Sequence, residues 1–399
     1  MKHTDRPGTL RRRLLDWFAA HKRDLPWRRA RDPYAILVSE FMLQQTRVAV
    51  VVDRWPEFLA RFPTANALAD APLDEVLALW SGLGYYRRAR NLHAAARILR
   101  DRFAGRLPHD AKMLRDLPGV GAYTAAAVAS IAFGAPEPLV DGNVARVLSR
   151  LFRMRGDARV PRNARSLLAL AGTLIPRTRA GDWNQALMEL GATVCLPRGP
   201  RCADCPVSAT CEARATGRPE AYPTPSRAAS SVKEIHVRVA LERNGRWLLR
   251  RNGPGEKPAG MFEFPRVPSP ERTAHSAQRT AHDRTREVVE LRAAIRRDLD
   301  LRVTDLRRLG EFRHQILSRS ITVTAFVGRT AGPAPRALGG GSFRWLAADE
   351  WRRVPLSAAA LRMIGLLGRA GQSSARSRQA RRSNSPVPAS TGRPRSNAR

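Results

Sequence analysis

The chain has 399 residues, 43% of them hydrophobic, which suffices for two folded units with buried cores and excludes an entirely unfolded polybasic chain. Lys and Arg number 70 against 35 Asp and Glu, and the resulting formal charge of +35 points to a polyanionic partner, nucleic acid first among them, although Arg- and Ala-biased coding supplies part of the charge. No run of about 18 apolar residues is present to span a membrane, the N-terminus lacks a secretory apolar stretch, and four cysteines are too few for a disulfide scaffold, so the expectation is a cytoplasmic protein, nucleoid-associated if bacterial.

Residues 10–215 read as mostly helical. Apolar residues recur at helical spacing over 34–52, 73–80, 92–103, 122–133, 144–152 and 183–194. Pro and Gly punctuate them at Pro33, Pro63, Pro72, Gly105, Pro108 and Gly134 to Pro138. In the first run Glu40 is flanked by Ile36, Leu37, Val38, Phe41, Met42 and Leu43. Such surroundings raise a carboxyl's pKa and keep it protonated near neutral pH. Residues 117–121 read LPGVG between two helical patterns. Gly119 and Gly121 permit a tight turn whose backbone N–H groups face outward at a helix start, a phosphate site or an ordinary helix–helix turn. Asp141, in VDGNV, sits where it would cap the next helix, and the positive helix end favours its ionised form. One neutral and one ionised carboxyl are what cleavage of a glycosidic bond requires. Sequence alone does not bring the two together.

Cys195, Cys202, Cys205 and Cys211 follow, spaced C-x6-C-x2-C-x5-C, and are the chain's only cysteines. Zinc, an iron–sulfur cluster and disulfides are the candidates. The lack of an export signal disfavours disulfides. Only Cys202 and Cys205 form a CxxC pair, and the wider outer spacings suit a cubane better than a single ion.

From 216 to 231 Pro, Ser, Thr and Gly mark a linker. The period then changes to two. Ile235, Val237, Val239 and Leu241 lead into Asn244-Gly245, followed by Trp247 and Leu249, the pattern of a hairpin whose turn needs two positive φ angles. Residues 284–301 read as a helix. Ile321, Val323, Ala325 and Val327 alternate again, as do Phe343 and Trp345. The second unit, 232–368, is therefore α+β. Residues 369–399 carry eight Arg and no acid, and are expected to form a disordered basic tail.

Taken together, VSEFMLQQTRV, GLGYYRRARNL, LPGVGAYTAAAV, VDGNVARVL and the four-cysteine loop resemble the MutY adenine DNA glycosylases of the helix-hairpin-helix superfamily, over residues 10–215. The second unit resembles, less strongly, that family's Nudix-like C-terminal domain. The resemblance implies a multidomain protein: an all-α helix-hairpin-helix glycosylase with an iron–sulfur module, then an α+β Nudix-like domain. A six-helix barrel would occupy about 30–137, and the iron–sulfur module about 1–29 and 138–215, within a first region of 1–215. It implies a [4Fe–4S] cluster on the four cysteines. It implies a monomer in base-excision repair, acting on double-stranded DNA with adenine opposite 8-oxoguanine or, less readily, guanine. The adenine would be flipped into a pocket and its N-glycosidic bond hydrolysed.

By the same resemblance Glu40 is the general acid and Asp141 the carboxylate facing the sugar cation, with Tyr123 and Asn143 in support. Gln45 and Tyr85 would enter the duplex near the lesion, beside Gln44 and Thr46, while Gly119 and Gly121 would grip phosphate. Endonuclease III-like glycosylase/lyases carry a Lys where this chain has Tyr123, and a phenol cannot form a Schiff base with the sugar. Such a lyase for damaged pyrimidines is one rival reading, and a DNA-binding protein with a dead site is another. In the second unit a Phe-Ser-His-like loop would read 8-oxoguanine. Here Ile316, Leu317 and Ser318 stand near those positions, with Ser318 the candidate contact, and this departure leaves the preference for 8-oxoguanine over guanine open. Helix 284–301 lacks the paired glutamates of a Nudix hydrolase.

Overall fold

Good caps and prolines at helix starts explain why the first unit is a set of short helices. The computed structural model describes residues 7–224, 232–268, 281–316, 319–335 and 341–383. Contacts divide it into two units at residues 230–231. The first begins with α1 (Pro7–His21), α2 (Pro26–Arg29), α3 (Pro33–Leu43) and α4 (Val48–Arg61). Next come α5 (Ala65–Asp70), α6 (Leu73–Leu79), α7 (Arg87–Phe103), α8 (Ala111–Arg115) and α9 (Ala122–Phe133). It closes with α10 (Gly142–Leu151), α11 (Pro161–Leu174), α12 (Ala180–Thr193) and α13 (Glu212–Ala215). The side chains of Asp32, Thr64, Asp110 and Asp141 accept backbone N–H bonds at the starts of α3, α5, α8 and α10, satisfying donors that a helix start leaves open. Proline opens α2, α3 and α11, where its missing N–H costs nothing.

Two cores form. Phe58 packs edge-on against Phe62 and Trp80, with ring centroids 5.0 and 5.8 Å apart, in the α4–α7 half. In the other half Leu14 and Phe18 of α1 join Val144 and Leu148 of α10 and Trp183, Leu187 and Leu190 of α12. The start of the chain thus packs on helices more than a hundred residues later. Between the halves lies α3, whose residues from Tyr34 to Met42 are all buried.

The apolar run over 34–52 is not one helix. It breaks at residues 44–47, where Gln45 adopts a left-handed φ of 57° and Thr46 turns its hydroxyl to Leu83 O. Periodicity alone did not expose this break, because Val48 resumes the apolar pattern at once. The expected linker also begins later than 216. Residues 216–224 belong to the first unit, where Tyr222 is buried and its carbonyl accepts from Arg150 Nε at 3.0 Å, and 225–231 lie outside the described residues.

In the second unit β1 (Val232–Arg243) and β2 (Arg246–Arg251) form the expected hairpin, with φ of 50° at Asn244 and 76° at Gly245. Then follow β3 (Phe262–Glu263), β4 (Arg266–Val267), α14 (Ala281–Leu299), β5 (Arg302–Ile316), β6 (Arg319–Ala331), β7 (Ser342–Ala347) and α15 (Ala358–Ser383). The sheet order is β3-β2-β1-β6-β5, with β4 on β1 and β7 on β2, and β1 runs parallel to β6. Although the sequence of β1 alternates, His236 to Leu241 are all buried, because β1 lies inside the sheet between β2 and β6. Val237, Val239 and Leu241 meet Leu291 and Ile295 of α14 on one face. The helix expected over 284–301 starts at Ala281 and ends at Leu299.

The tail expected to be disordered from 369 is instead helical to Ser383, as part of α15. Ala, Arg and Gln are good helix formers, and no proline intervenes before Pro386. Residues 384–399 and Ser318 lie outside the described residues.

Candidate active site and cysteine centre

The buried helix α3 carries Glu40 into the wall of a cavity of about 230 Å³. Tyr123 from the first turn of α9, and Asp141 and Asn143 from the start of α10, line the same cavity. Glu40 is 6% exposed. Burial, and then the charge of Asp141, push its carboxyl up to about 7, against an opposing contribution from the Tyr123 hydroxyl. Tyr123 is itself held well above the ordinary phenol range, chiefly by burial and then by the two carboxyls. Asp141 accepts from Val144 N at 2.7 Å through one oxygen and from Asn143 Nδ2 at 3.0 Å through the other. Both bonds aim its carboxyl from the positive end of α10. Asn143 is fixed in turn by Arg146 Nη2 at 2.9 Å. The four residues singled out for catalysis therefore meet around one space.

The candidate DNA-contacting residues are distributed otherwise. Gln44 donates to Thr124 Oγ1 at 3.2 Å, and Thr46 borders the cavity. Gln45 and Tyr85 are exposed and do not line it, yet both adopt left-handed φ angles, 57° and 47°. For residues other than Gly, Asn or Asp this conformation costs of order 1–3 kcal/mol and persists only where surroundings enforce it. Arg88 supplies that enforcement. Its guanidinium, 7% exposed, donates to Phe41 O and Met42 O at 2.8 Å, to Leu83 O and Gly84 O at 3.0 and 3.1 Å, and to Thr46 Oγ1 at 2.9 Å. One buried cation thus clasps both strained turns.

In the 117–121 turn Gly119 has φ 81°, and a Cβ there would lie 2.7 Å from Asn91 Cβ and 2.9 Å from Phe41 Cε1. Internal packing accounts for this glycine. Around Gly121 nothing lies within 4 Å of a built Cβ, and no side chain caps the start of α9. Gly121 and Ala122 at that helix start are exposed.

The four cysteines line one small cavity and no disulfide links them. Among the described residues no three His, Cys, Asp or Glu side chains converge closely enough to hold a single metal ion. Burial raises the Cys205 thiol to about 12 and raises Cys211 as well. Arg150 of α10, 2% exposed, lies 3.3 Å from Cys195 Sγ and donates to Leu196 O and Pro197 O at 2.7 and 3.1 Å. Four thiols beside a buried cation suit an anionic sulfur-ligated group.

Residues 38–171 match the HhH-GPD superfamily of base excision DNA repair proteins. An adenine DNA glycosylase of Mycolicibacterium smegmatis is 48% identical over 207 residues, covering 52% of this chain and 70% of that protein. The chain belongs to the adenine DNA glycosylase family. The human adenine DNA glycosylase is 42% identical over 274 residues, covering 64% of this chain and 48% of that protein. The chain thus spans about half the length of its human, rat and mouse relatives. A solved MutT Nudix hydrolase of Burkholderia pseudomallei, 17% identical, covers 34% of this chain and 97% of that one, with a TM-score of 0.25.

Sequence reasoning missed one wall of the cavity. Gln185, Met188, Glu189 and Ala192 of α12 line it, spaced i, i+3, i+4 and i+7. Glu189 is 1% exposed. Burial alone would raise its pKa, but Arg23 donates through its backbone N, Nε and Nη2, and Arg28 through Nη2, at 2.8–3.0 Å, and together they bring it down to about 2. The i, i+3, i+4 face was legible as a helix stripe; an acid inside it was the available signal. A wider cleft of about 660 Å³ also reaches Tyr123 and Asp141 and carries Lys112, Arg115, Arg159 and Arg165.

Proposed function

We propose that this chain is a monofunctional adenine DNA glycosylase of base-excision repair. It acts as a cytoplasmic monomer on double-stranded DNA bearing adenine opposite 8-oxoguanine or, less readily, guanine. The observation that carries this reading is the pairing, in one cavity, of a carboxyl held protonated near neutral pH with a second carboxyl aimed by a helix start. A flipped adenine takes the cavity. Glu40 delivers its proton to the base, so that adenine leaves neutral, and the Asp141 carboxylate faces the positive charge that develops on the sugar. Water then adds to the sugar carbon and gives up a proton to the Glu40 carboxylate, which completes hydrolysis and restores the acid. Asn143 keeps Asp141 turned toward the sugar. Position 123 holds Tyr and no Schiff base forms there, which speaks against a lyase.

The reading extends to DNA. Gln45 and Tyr85, held out by Arg88, fill the space the flipped base leaves. The open start of α9 at Gly121 takes a phosphate, and the cleft with Lys112, Arg115, Arg159 and Arg165 continues the backbone track. Cys195, Cys202, Cys205 and Cys211 would hold a [4Fe–4S] cluster, and the four thiols beside Arg150 fit such a group. Bound there, it would pin the loop under α10. A duplex assay with adenine opposite 8-oxoguanine, guanine or cytosine, with and without alkali, tests the whole. Alkali-dependent strand breaks at the two mispairs are expected. Breaks without alkali, together with a borohydride-trapped complex, would favour the endonuclease III-like rival.

A further inference from the structure

The segment that follows the last cysteine does more than lead out of the first unit. Residues 216–224 return to the cysteine loop, and Pro219 lines the cavity that the four cysteines share. Three ties hold them there. Glu220 Oε1 accepts from Gly199 N at 2.7 Å, and Gly199 lies within the loop between Cys195 and Cys202. Tyr222 O accepts from Arg150 Nε at 3.0 Å, while Nη1 of the same guanidinium lies 3.3 Å from Cys195 Sγ. Thr224 Oγ1 accepts from Gly156 N at 3.0 Å. Tyr222 is 7% exposed. Ala221 N and Tyr222 N donate back to Arg218 O and Pro219 O at 3.2 Å, which closes a short turn. A stretch that only connected two units would gain nothing from such ordering, which costs it conformational entropy.

We propose that residues 216–224 are a cover over the cysteine centre, fastened at Glu220, Tyr222 and Thr224, that keeps water and oxidants from the group the four thiols hold. This rests on the reading of Cys195, Cys202, Cys205 and Cys211 as the ligands of a [4Fe–4S] cluster. The reactivity of such a cluster depends on how freely solvent reaches its iron and sulfur. The four cysteines are partly exposed with the segment in place, and lifting Pro219 takes away part of their cavity wall. The fastenings differ in kind. Arg150 is 2% exposed and also serves Leu196 O and Pro197 O, so it holds the cysteine loop as well as the segment. The ties at Glu220 and Thr224 are single bonds at the solvent edge, and neither side chain lines the cavity. They can be cut without touching a cysteine or its immediate surroundings.

The test follows the cluster itself. Wild type, Glu220→Ala, Glu220→Gln and the Glu220→Ala/Thr224→Val double variant are reconstituted anaerobically, then exposed to hydrogen peroxide in the presence of an iron chelator. Loss of visible absorbance and the appearance of chelated iron give the rate. All four proteins should load the same iron and share one spectrum at time zero. Attack that waits for the segment to open scales with its open fraction. Glu220→Ala should therefore lose iron roughly three- to tenfold faster, the factor set by one net hydrogen bond, and the double variant faster still. Glu220→Gln keeps an acceptor oxygen for Gly199 N and should decay at the wild-type rate. Hydrogen exchange at the Ala221 and Tyr222 amides should quicken by the same factors. Iron loss at the wild-type rate in Glu220→Ala and the double variant would overturn the inference, as would Glu220→Gln decaying as fast as Glu220→Ala. Faster amide exchange with unchanged iron loss would mean that the segment opens without uncovering anything. Variants that fold but never load iron would make the segment part of the ligand loop and no cover, which overturns the inference equally. If wild type itself takes up no iron–sulfur cluster, the cluster reading fails and the cover falls with it; a loaded wild type with indifferent variants sinks the cover alone.

Discussion

Replacing Glu40 by Gln should make the protein more stable, and only above acidic pH. The carboxyl titrates near 7 in the fold against 4.5 when free. A raised carboxyl contributes its full share of stability below 4.5 and loses it as pH climbs through 7. The gap of about 2.5 units, at 1.36 kcal/mol each, corresponds to about 3 kcal/mol. Glu40 is almost wholly buried, so solvent screening removes little of this. Gln occupies the same volume and never ionises. Calorimetry of the cluster-loaded protein should therefore give wild type and Glu40→Gln the same first-unit midpoint near pH 4.5. By pH 8 the variant should melt several degrees higher, at roughly 2–4 °C per kcal/mol for a unit of this size. The same variant should bind duplex DNA normally and release no adenine. A stability difference independent of pH would mean that Glu40 ionises like a surface carboxylate, and near-normal adenine release would remove it from the acid role.

Glu189→Gln should behave in the opposite sense. Its carboxyl is depressed to about 2, so the stability it contributes is present above pH 4.5 and is lost toward pH 2; allowing for the solvent-facing side of Arg23, the variant should lose about 2 kcal/mol at pH 7 in denaturant titrations and little at pH 2. Arg88→Ala takes the donor from the buried Phe41 O and Met42 O, while Leu83 O keeps Thr46 Oγ1 and Gly84 O keeps Trp80 Nε1, and should cost about 3 kcal/mol; Arg88→Lys should fold yet discriminate mispaired from matched duplex less well in binding assays. Cys202→Ser should reduce visible absorbance from the cluster and lower DNA affinity more than the rate of the bound complex. Duplex affinity should fall steeply and linearly on a log–log plot against salt, as expected when several phosphates are neutralised.

Much of the site was readable because its chemistry is local. An acid among six apolar neighbours announces a perturbed carboxyl, and Asp before Gly-Asn-Val announces a helix cap; both are one-dimensional patterns. The hairpin at Asn244-Gly245 was readable for the same reason. What stayed hidden depends on non-local contacts. The break at residues 44–47 is enforced by Arg88, more than forty residues away, and no property of QQTR demands a left-handed Gln45. Glu189 reads as an ordinary helical acid until Arg23 and Arg28 are seen to close on it. The double burial of β1 follows from strand order, which alternation does not encode.

Helix α12 shows how packing converts such a plain stretch into part of a site. A Cβ at Gly191 would lie 2.6 Å from Asn143 Cβ and 3.0 Å from Asn143 O, so α12 reaches the start of α10 only because that position is bare. This approach also lets Arg146 donate to Gly191 O at 2.7 Å while holding Asn143. Less than one turn earlier on the same helix, Met188 and Glu189 line the cavity that Asp141 also lines. Gly191→Ala should consequently disturb the local packing and the chemistry together, because the methyl meets Asn143 at its Cβ, Cα and backbone oxygen. The methyl must push Asn143, Asn143 releases one Asp141 oxygen, and the carboxylate loses its aim at the sugar. Adenine release should drop at every pH, with duplex affinity retained. A Gly191→Ala protein that cleaves at the wild-type rate would show that Asp141 needs neither Asn143 nor the close seat of α12, and would leave the Val144 N–H as its sole anchor.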